Sequence, residues 1–456
     1  MGIRARARRR PPIVMKASCA APDGPSGGTT GGPTGGPTWY EATGHAAPHH
    51  PVLAGDQRAD VAILGAGYTG LSAALALAQR GYRVALVEAR TVGAGASGRN
   101  GGQLITGFNP PLTALAARHG SATARALFRL AEDGKALLRE RIAQHAIACD
   151  LTWGFVAAAL KPRQLRALEA EAALLQRFGY DALAPWSRDQ LGAVVRSARY
   201  IGGWFDGGSG HLHPLNYARG LARAATAAGA RLFEHSPVLR LEPGARPVLA
   251  TAAGRLSAEA VLLCGNAHLV QDQPGLAPAL TRRIMPVATA MMATAPLGGR
   301  LREHLTRDIA VADANHILDY FRGTPDGRLL FGGLARYDGR PPRAIAPALG
   351  RRLARVFPAL AGVPVEHQWS GLVAITRDRL PYLGRLAPNI LFALGYSGHG
   401  VILAGLAGVL LAEALAGTLE RFDRLARLRH RRFPGGPFKT PILRAAMLYY
   451  TWQDML

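Results

Sequence analysis

Ala59-Asp60-Val61-Ala62-Ile63-Leu64-Gly65-Ala66-Gly67-Tyr68-Thr69-Gly70-Leu71 sets a short, largely apolar run directly before three closely spaced glycines. The run predicts a strand over 59–64, the alanine-rich stretch 69–80 predicts a helix that stops at Gly81, and 83–87 predicts a second strand. A strand, helix, strand unit of about 30 residues is the size of one mononucleotide-binding half. Each glycine has a mechanical reason to be there. Gly65 makes the tight turn, Gly67 lets backbone N–H groups approach a pyrophosphate, and Gly70 lets the helix pack on the strand. Tyr68 and Thr69 then open a helix whose N-terminus carries partial positive charge. Glu88 closes the second strand, where a carboxylate accepts hydrogen bonds from ribose hydroxyls. A bound dinucleotide and a Rossmann-like α/β domain are therefore expected.

FAD and NAD share this fingerprint, so the choice rests on two later segments. Gly93-Ala94-Gly95-Ala96-Ser97-Gly98-Arg99-Asn100-Gly101-Gly102-Gln103 follows the acidic residue directly, where an FAD protein brings a loop against the inner phosphates and isoalloxazine. Gly395-Tyr396-Ser397-Gly398-His399-Gly400-Val401 leads into an apolar helix, and a helix start aimed at the flavin pyrimidine stabilises the negative charge gathered there on reduction. Both favour FAD.

Outward from these motifs, the chain of 456 residues, 48% of them apolar, can build about two or three domains. Its formal charge of +24 comes almost wholly from arginine, with lysine only at Lys16, Lys135, Lys161 and Lys439. Charge of that kind, beside heavy alanine and glycine usage, reads as a solvated surface; recognisable nucleic-acid modules are absent, and no nucleic-acid partner is expected. Cys19, Cys149 and Cys264 have no short spacing, which excludes a Cys-x-x-Cys pair and a zinc quartet. Residues 1–38 combine an arginine cluster with a Gly/Pro/Thr tract and are expected to be disordered. No apolar signal run follows the cluster, so a cytoplasmic protein is expected. The longest apolar stretch, 401–416, contains Glu413 and falls short of the roughly 20 residues a membrane span needs, so no transmembrane segment is expected.

Residues 112–188 read as a helical insertion, 200–205 as a strand, 214–228 as a helix opened by Pro214, and 231–234 and 260–263 as strands. Short β-rich runs at 283–293, 317–322 and 328–331 suit an antiparallel sheet shaping a pocket, followed by a helix over 348–357 and a last strand at 391–394. The expected division is an FAD-binding domain from 57–110, 200–270 and 366–420, a substrate domain of antiparallel sheet plus helices from 111–199 and 271–365, and a basic tail over 421–456.

The stretches GAGYTGLSAALALAQRGYRVALVEA (65–89), GASGRNGGQL (95–104), Gly208-Ser209-Gly210-His211-Leu212-His213-Pro214 and RLPYLGRLAPNILFALGYSGHGV (379–401) resemble the D-amino-acid oxidase-like FAD oxidoreductases, and within them the gamma-glutamylputrescine oxidase-like branch. The resemblance runs from about Trp39 to the chain end, including FPGGPF and YYTWQDML. It implies oxidation of a carbon-nitrogen bond, with a small-molecule amine as substrate, flavin as hydride acceptor and O2 or an electron carrier as final acceptor. It implies cofactor contacts at the glycine motifs and at Ala89, Arg90, Val238 and Gly265, and pocket roles for His211, Tyr320, Trp369 and His399. No cysteine falls in these motifs, so FAD is expected to be noncovalent. Gly208-Ser209-Gly210 and Arg377-Asp378-Arg379 depart from the pattern and leave the amine open. The alternatives are a glycine, sarcosine or D-amino-acid oxidase, and a dehydrogenase delivering electrons to quinone through peripheral membrane contact of the basic segment holding Arg421, Arg424, Arg427, Arg429, Arg431 and Arg432.

Overall fold

A computed structural model describes residues 37–434. The expected strand, turn and helix are present: Val61–Leu64 runs into the helix Tyr68–Ala78, and Val84–Val87 returns beside it. They belong to a six-stranded sheet whose order is Tyr382–Ala387, Ile390–Leu394, Ala260–Leu263, Val61–Leu64, Val84–Val87, Arg231–Phe233. All neighbours are parallel except the edge strand Tyr382–Ala387. Strand order reverses between Val61–Leu64 and Ala260–Leu263, and ligands of such sheets bind outside the carboxyl ends at that switch point.

Alanine and glycine in the two core helices have a packing reason. Every residue of Tyr68–Ala78 is buried, and Gly400–Leu415 crosses it so closely that a Cβ on Gly408 would stand 2.3 Å from Thr69 O. The apolar stretch at 401–416 is this core helix, and no single helix among the described residues is long and apolar enough to cross a membrane.

A nine-stranded sheet, antiparallel apart from one parallel pair between Thr152–Ala159 and Ala310–Asp313, forms the second layer. A small four-stranded sheet built on Gly55–Arg58 and Arg240–Ser257 has no counterpart among the sequence expectations. The larger sheet corrects several of them. Residues 112–188 are not wholly helical: Thr152–Ala159 and Leu183–Ser187 are strands, both paired to Gly202–His211. The alanine-rich sequence of the first reads locally as helix, and long-range pairing overrides it. The strand expected at 200–205 continues to His211 through the departing Gly208-Ser209-Gly210, because a Cβ on Gly210 would stand 2.2 Å from Thr152 O. Gly202–His211 and Val365–Ile375, expected on the cofactor side, are hydrogen-bonded into the nine-stranded sheet. The helix expected over 348–357 is Ile345–Val356.

At the chain ends, Thr38 belongs to the fold and caps the helix Trp39–Thr43, whereas the disorder expected for 1–36 concerns residues outside those described. The basic segment is also partly structural. Glu420–Ala426 is a helix with Phe422 and Leu425 buried; Arg421 pairs with Glu413 and Asp133, Arg424 with Glu420, and Arg427 with Asp423. Those pairings leave less charge for a membrane surface than the sequence suggested. Residues 435–456, with the FPGGPF and YYTWQDML motifs, lie outside the described residues apart from Phe433 and Pro434.

Candidate cofactor and active site

A cavity with about 1350 Å³ of empty space, partly open to solvent, lies at the carboxyl ends of the parallel strands at the switch point. Its walls include Gly65, Gly67, Tyr68, Thr69, Glu88, Ala89, Arg90, Ser97, Asn100, Val238, Gly265, Ser397, Gly398, Gly400 and Val401. Segments far apart in sequence therefore converge on one groove.

At its centre, Gly65 turns with φ of +102°, and a Cβ there would stand 3.1 Å from the Cys264 backbone of the neighbouring strand. Gly67 is the N-cap of Tyr68–Ala78, with Ser97 Oγ accepting from Tyr68 N at 3.0 Å. Gly70 lies off the cavity; a Cβ there would stand 2.0 Å from Gly65 O, so only glycine lets the helix sit this close to its turn. Glu88 accepts from Ala66 N at 2.8 Å and Arg90 N at 3.0 Å, which fixes its carboxylate at the groove while other lone pairs stay available. These residues fit an adenine dinucleotide: bare glycine backbone at the turn, a helix N-terminus beside it, and a held carboxylate at one end.

The loop 93–103 faces two ways. Ser97 and Asn100 border the cavity, and Asn100 braces the loop, donating from Nδ2 to Ala96 O at 2.9 Å and accepting from Gly102 N at 2.7 Å. Arg99 points away: it pairs with Glu41 at 3.1 Å and donates to Ala94 O at 3.2 Å. Gly98, Gly101, Gly102 and Gln103 are likewise off the cavity wall. A Cβ on Gly98 would stand 2.5 Å from Gly93 O, one on Gly101 would meet the Tyr320 ring at 2.8 Å, and one on Gly102 would meet Leu212 O at 2.2 Å. Gln103 pairs with His211 in the sheet and donates to Val311 O at 3.1 Å.

At the other end, Gly395 turns the chain with φ of +78°, its N–H held by Asn266 Oδ1 at 3.0 Å. Tyr396 and Thr69 share a 2.6 Å hydrogen bond that ties this turn to the first helix. Ser397, in the left-handed region, accepts from Thr376 N at 3.2 Å. His399 caps Gly400–Leu415 but does not border the cavity; burial pushes its imidazole down to about 4, with a bond to the Gly107 backbone opposing.

None of the four expected pocket residues borders the cavity. Trp369 is buried and donates from Nε1 to Arg99 O at 3.0 Å, so it supports the 93–103 loop from behind. Tyr320 stands against Gly101 and Gly332. His211, at the end of its strand, is held by Asp308 at 3.1 Å from Nε2, while its buried Nδ1 lacks a partner. Burial lowers the His211 imidazole, and the bond from His211 holds the Asp308 carboxyl low. His213 anchors its helix by accepting from Asn216 N at 3.1 Å; burial and then Arg322 push it down to about 3.

Several residues at the groove carry no clear mark in the sequence. Ser236, Asn266, His268 and Leu372 line it, and Arg90 reaches His268 Nε2 at 3.0 Å. Gly265-Asn266 after an apolar strand is a usable signal, because the strand beside a switch point also ends at the ligand. Trp39, Tyr40 and Arg322 build a buried cluster behind the loop that no local pattern announces. Cys264, outside the cofactor motifs, also borders the cavity, and burial pushes its thiol up and away from thiolate.

Residues 60–414 match the family described as FAD dependent oxidoreductase (DAO). The chain is 39% identical over 399 residues, 87% of its length and 93% of the relative's, to the gamma-glutamylputrescine oxidoreductase of Escherichia coli K12. The crystal structure of glycine oxidase from Geobacillus kaustophilus superposes with a TM-score of 0.65 at 26% identity, covering 79% of this chain and 95% of that one. An L-proline dehydrogenase from P. horikoshii shares the fold, with a TM-score of 0.68 at 20% identity over 82% of this chain and 98% of its own. With its dinucleotide groove, its paired glycine-rich loops and this family match across most of its length, the chain belongs to the DAO family of FAD-dependent oxidoreductases.

Proposed function

We propose that the protein oxidises gamma-glutamylputrescine or a similar amine in the cytoplasm, with O2 as electron acceptor. The likeness to the E. coli oxidoreductase, extending through 87% of the chain, carries this reading. When bound, FAD accepts a hydride from the carbon beside the amine nitrogen, and the imine so formed is hydrolysed by water to a carbonyl compound and a free amine or ammonia.

The chain's own residues supply binding, orientation and electrostatics. Glu88 would accept hydrogen bonds from ribose hydroxyls, and the N-terminus of Tyr68–Ala78 would favour the pyrophosphate. The first residues of Gly400–Leu415 lie at the cavity's other end, where a helix N-terminus favours electron-rich flavin. His399, with its imidazole held low, brings no positive charge against an amine substrate near neutral pH. Trp369 and Tyr320 position the 99–101 segment from the sheet side. No paired carboxylates are needed, because the chain has only to orient the neutral amine and exclude water.

The deciding experiment mixes purified protein anaerobically with gamma-glutamylputrescine, putrescine, sarcosine, glycine and D-alanine in turn and follows the visible flavin band. Rapid bleaching by gamma-glutamylputrescine alone is the expected result; bleaching by glycine, sarcosine or D-alanine instead moves the protein to the amino-acid oxidases. Yellow protein bleached by none of them removes the amine reading. Hydrogen peroxide formed in step with turnover supports O2, whereas reduction of a quinone without peroxide removes it. The cofactor is proposed to be noncovalent, so acid precipitation should leave the yellow colour in the supernatant.

A further inference from the structure

Arg322 is 3% exposed, and every contact of its guanidinium is to a neutral oxygen. Nε donates to Gly101 O at 3.0 Å, Nη1 to Gly323 O at 3.2 Å, and Nη2 to Leu212 O at 3.1 Å and Tyr40 OH at 3.5 Å. Among the described residues no carboxylate reaches ion-pair distance of it, in contrast to Arg352, which pairs with the buried Asp319. Asp308 feels the charge but is engaged by His211. Trp39 lies beneath the guanidinium, 5.9 Å from carbon to ring centre, and Tyr40 is fully buried beside it. The other titratable groups around it are His211 and His213, both lowered by it, and Tyr320, two residues before it on the strand.

A buried charge without a counter-ion is costly and persists where something else compensates for it. Most of the guanidinium's N–H groups are already used on protein oxygens, so Arg322 has little left for gripping a ligand directly. What remains is its field, little screened by water where the guanidinium is buried. The carbonyl it holds belongs to Gly101, directly after the cavity-lining Asn100, and a Cβ on Gly102 would stand 3.1 Å from its Nη2. Charge near a flavin ring is one of the levers by which a protein sets the ring's electronics.

We propose that Arg322 is the redox-tuning residue of this site: a permanent positive charge, locked behind the Gly101–Gly102 turn, that favours the electron-rich reduced flavin over the oxidised one. It is a positioning residue as well, since the same guanidinium holds the turn. The inference rests on the flavin assignment and not on the identity of the amine.

The test is the two-electron midpoint potential of FAD-loaded wild type, R322Q and R322K, titrated with dithionite so that no amine is involved. Glutamine keeps hydrogen-bonding capacity without the charge; lysine keeps the charge. R322Q is expected to be at least about tenfold harder to reduce, about 30 mV lower, with R322K close to wild type only at pH low enough to keep the buried lysine protonated. As pH rises through the lysine's lowered pKa, the R322K potential should fall further than that of wild type. R322Q at the wild-type potential overturns the proposal. Should R322Q fail to take up FAD, the lysine variant decides: a potential that follows wild type from acid to alkaline pH overturns it, and an additional fall anywhere in that range supports it.

Discussion

The two glycine-rich segments, Gly65–Gly70 and Gly93–Gln103, look alike in composition and do different work. In the first, Gly65 and Gly67 border the cavity with bare backbone, their missing side chains sparing the Cys264 backbone and Ser97 Oγ, and Gly70 makes room for a helix. In the second, only part of the loop faces the cavity, and Gly101 and Gly102 make room for protein: the Tyr320 ring, Leu212 O and the Arg322 guanidinium. The first segment is a cradle and the second is a hinge between the groove and the sheet behind it. A run of glycines therefore does not say what will fill the space it leaves.

That contrast is most sharply broken at Gly70. Gly70→Val would drive a side chain into Gly65 O, where even a bare Cβ is only 2.0 Å away, and neither atom belongs to a flexible chain end. The turn must move, at a cost of about 3 kcal/mol or more, and FAD content should drop to near zero together with the melting temperature. Full FAD retention would show that the turn is not what holds the cofactor. Glu88→Gln comes next. It keeps the shape but replaces a charged acceptor of the Ala66 and Arg90 N–H groups, so FAD affinity should weaken about ten- to a hundredfold, as charge-assisted hydrogen bonds imply. Fluorescence titration reads this, and unchanged affinity would remove Glu88 from the cofactor's contacts.

Gly102→Ala tests the other side. Its φ of +74° and the 2.2 Å approach to Leu212 O predict strain of about 1–3 kcal/mol. Because Gly102 is off the cavity wall, FAD affinity should change by less than about threefold once the protein is folded, while the urea midpoint falls. A large loss of affinity at unchanged stability would erase the distinction between cradle and hinge.

The same distinction explains what can be read from sequence. The Gly65 turn, Glu88 and the Gly395–Val401 turn are legible because their roles are local: strand end, backbone bend and helix start lie within a few residues. Thr152–Ala159 is not, because its alanines and small residues carry no strand period, and only its pairing with Gly202–His211 makes it a strand. Arg99 reads as a cofactor contact because it sits among glycines, but Glu41, from the helix before the fingerprint, turns it the other way. Tyr320 and Trp369 read as pocket residues by resemblance, yet the packing that places them behind the loop is tertiary. The Trp39, Tyr40 and Arg322 cluster joins residues hundreds of positions apart and leaves no periodic trace.

The smallest expected effect concerns pH, and it compares the two regions through their histidines. Burial holds His399, at the cavity end, down to about 4 and His213, on the sheet side, down to about 3. Both lie below the roughly 6.5 of an exposed histidine. Between those values the unfolded chain binds protons that the folded one does not, so folded stability is lost as pH falls from about 6.5 toward 4 and is regained as pH rises. His213→Asn removes one such group and keeps an acceptor for Asn216 N, since asparagine is a favoured N-cap. At pH 7.5 the variant should lose about 1 kcal/mol through its missing ring contacts with Trp39 and Tyr40. Its urea midpoint should then fall less than that of wild type between pH 7.5 and pH 5. An equal fall in both proteins would show that His213 does not carry the acid sensitivity and leave it to the other lowered imidazoles, His399 and His211.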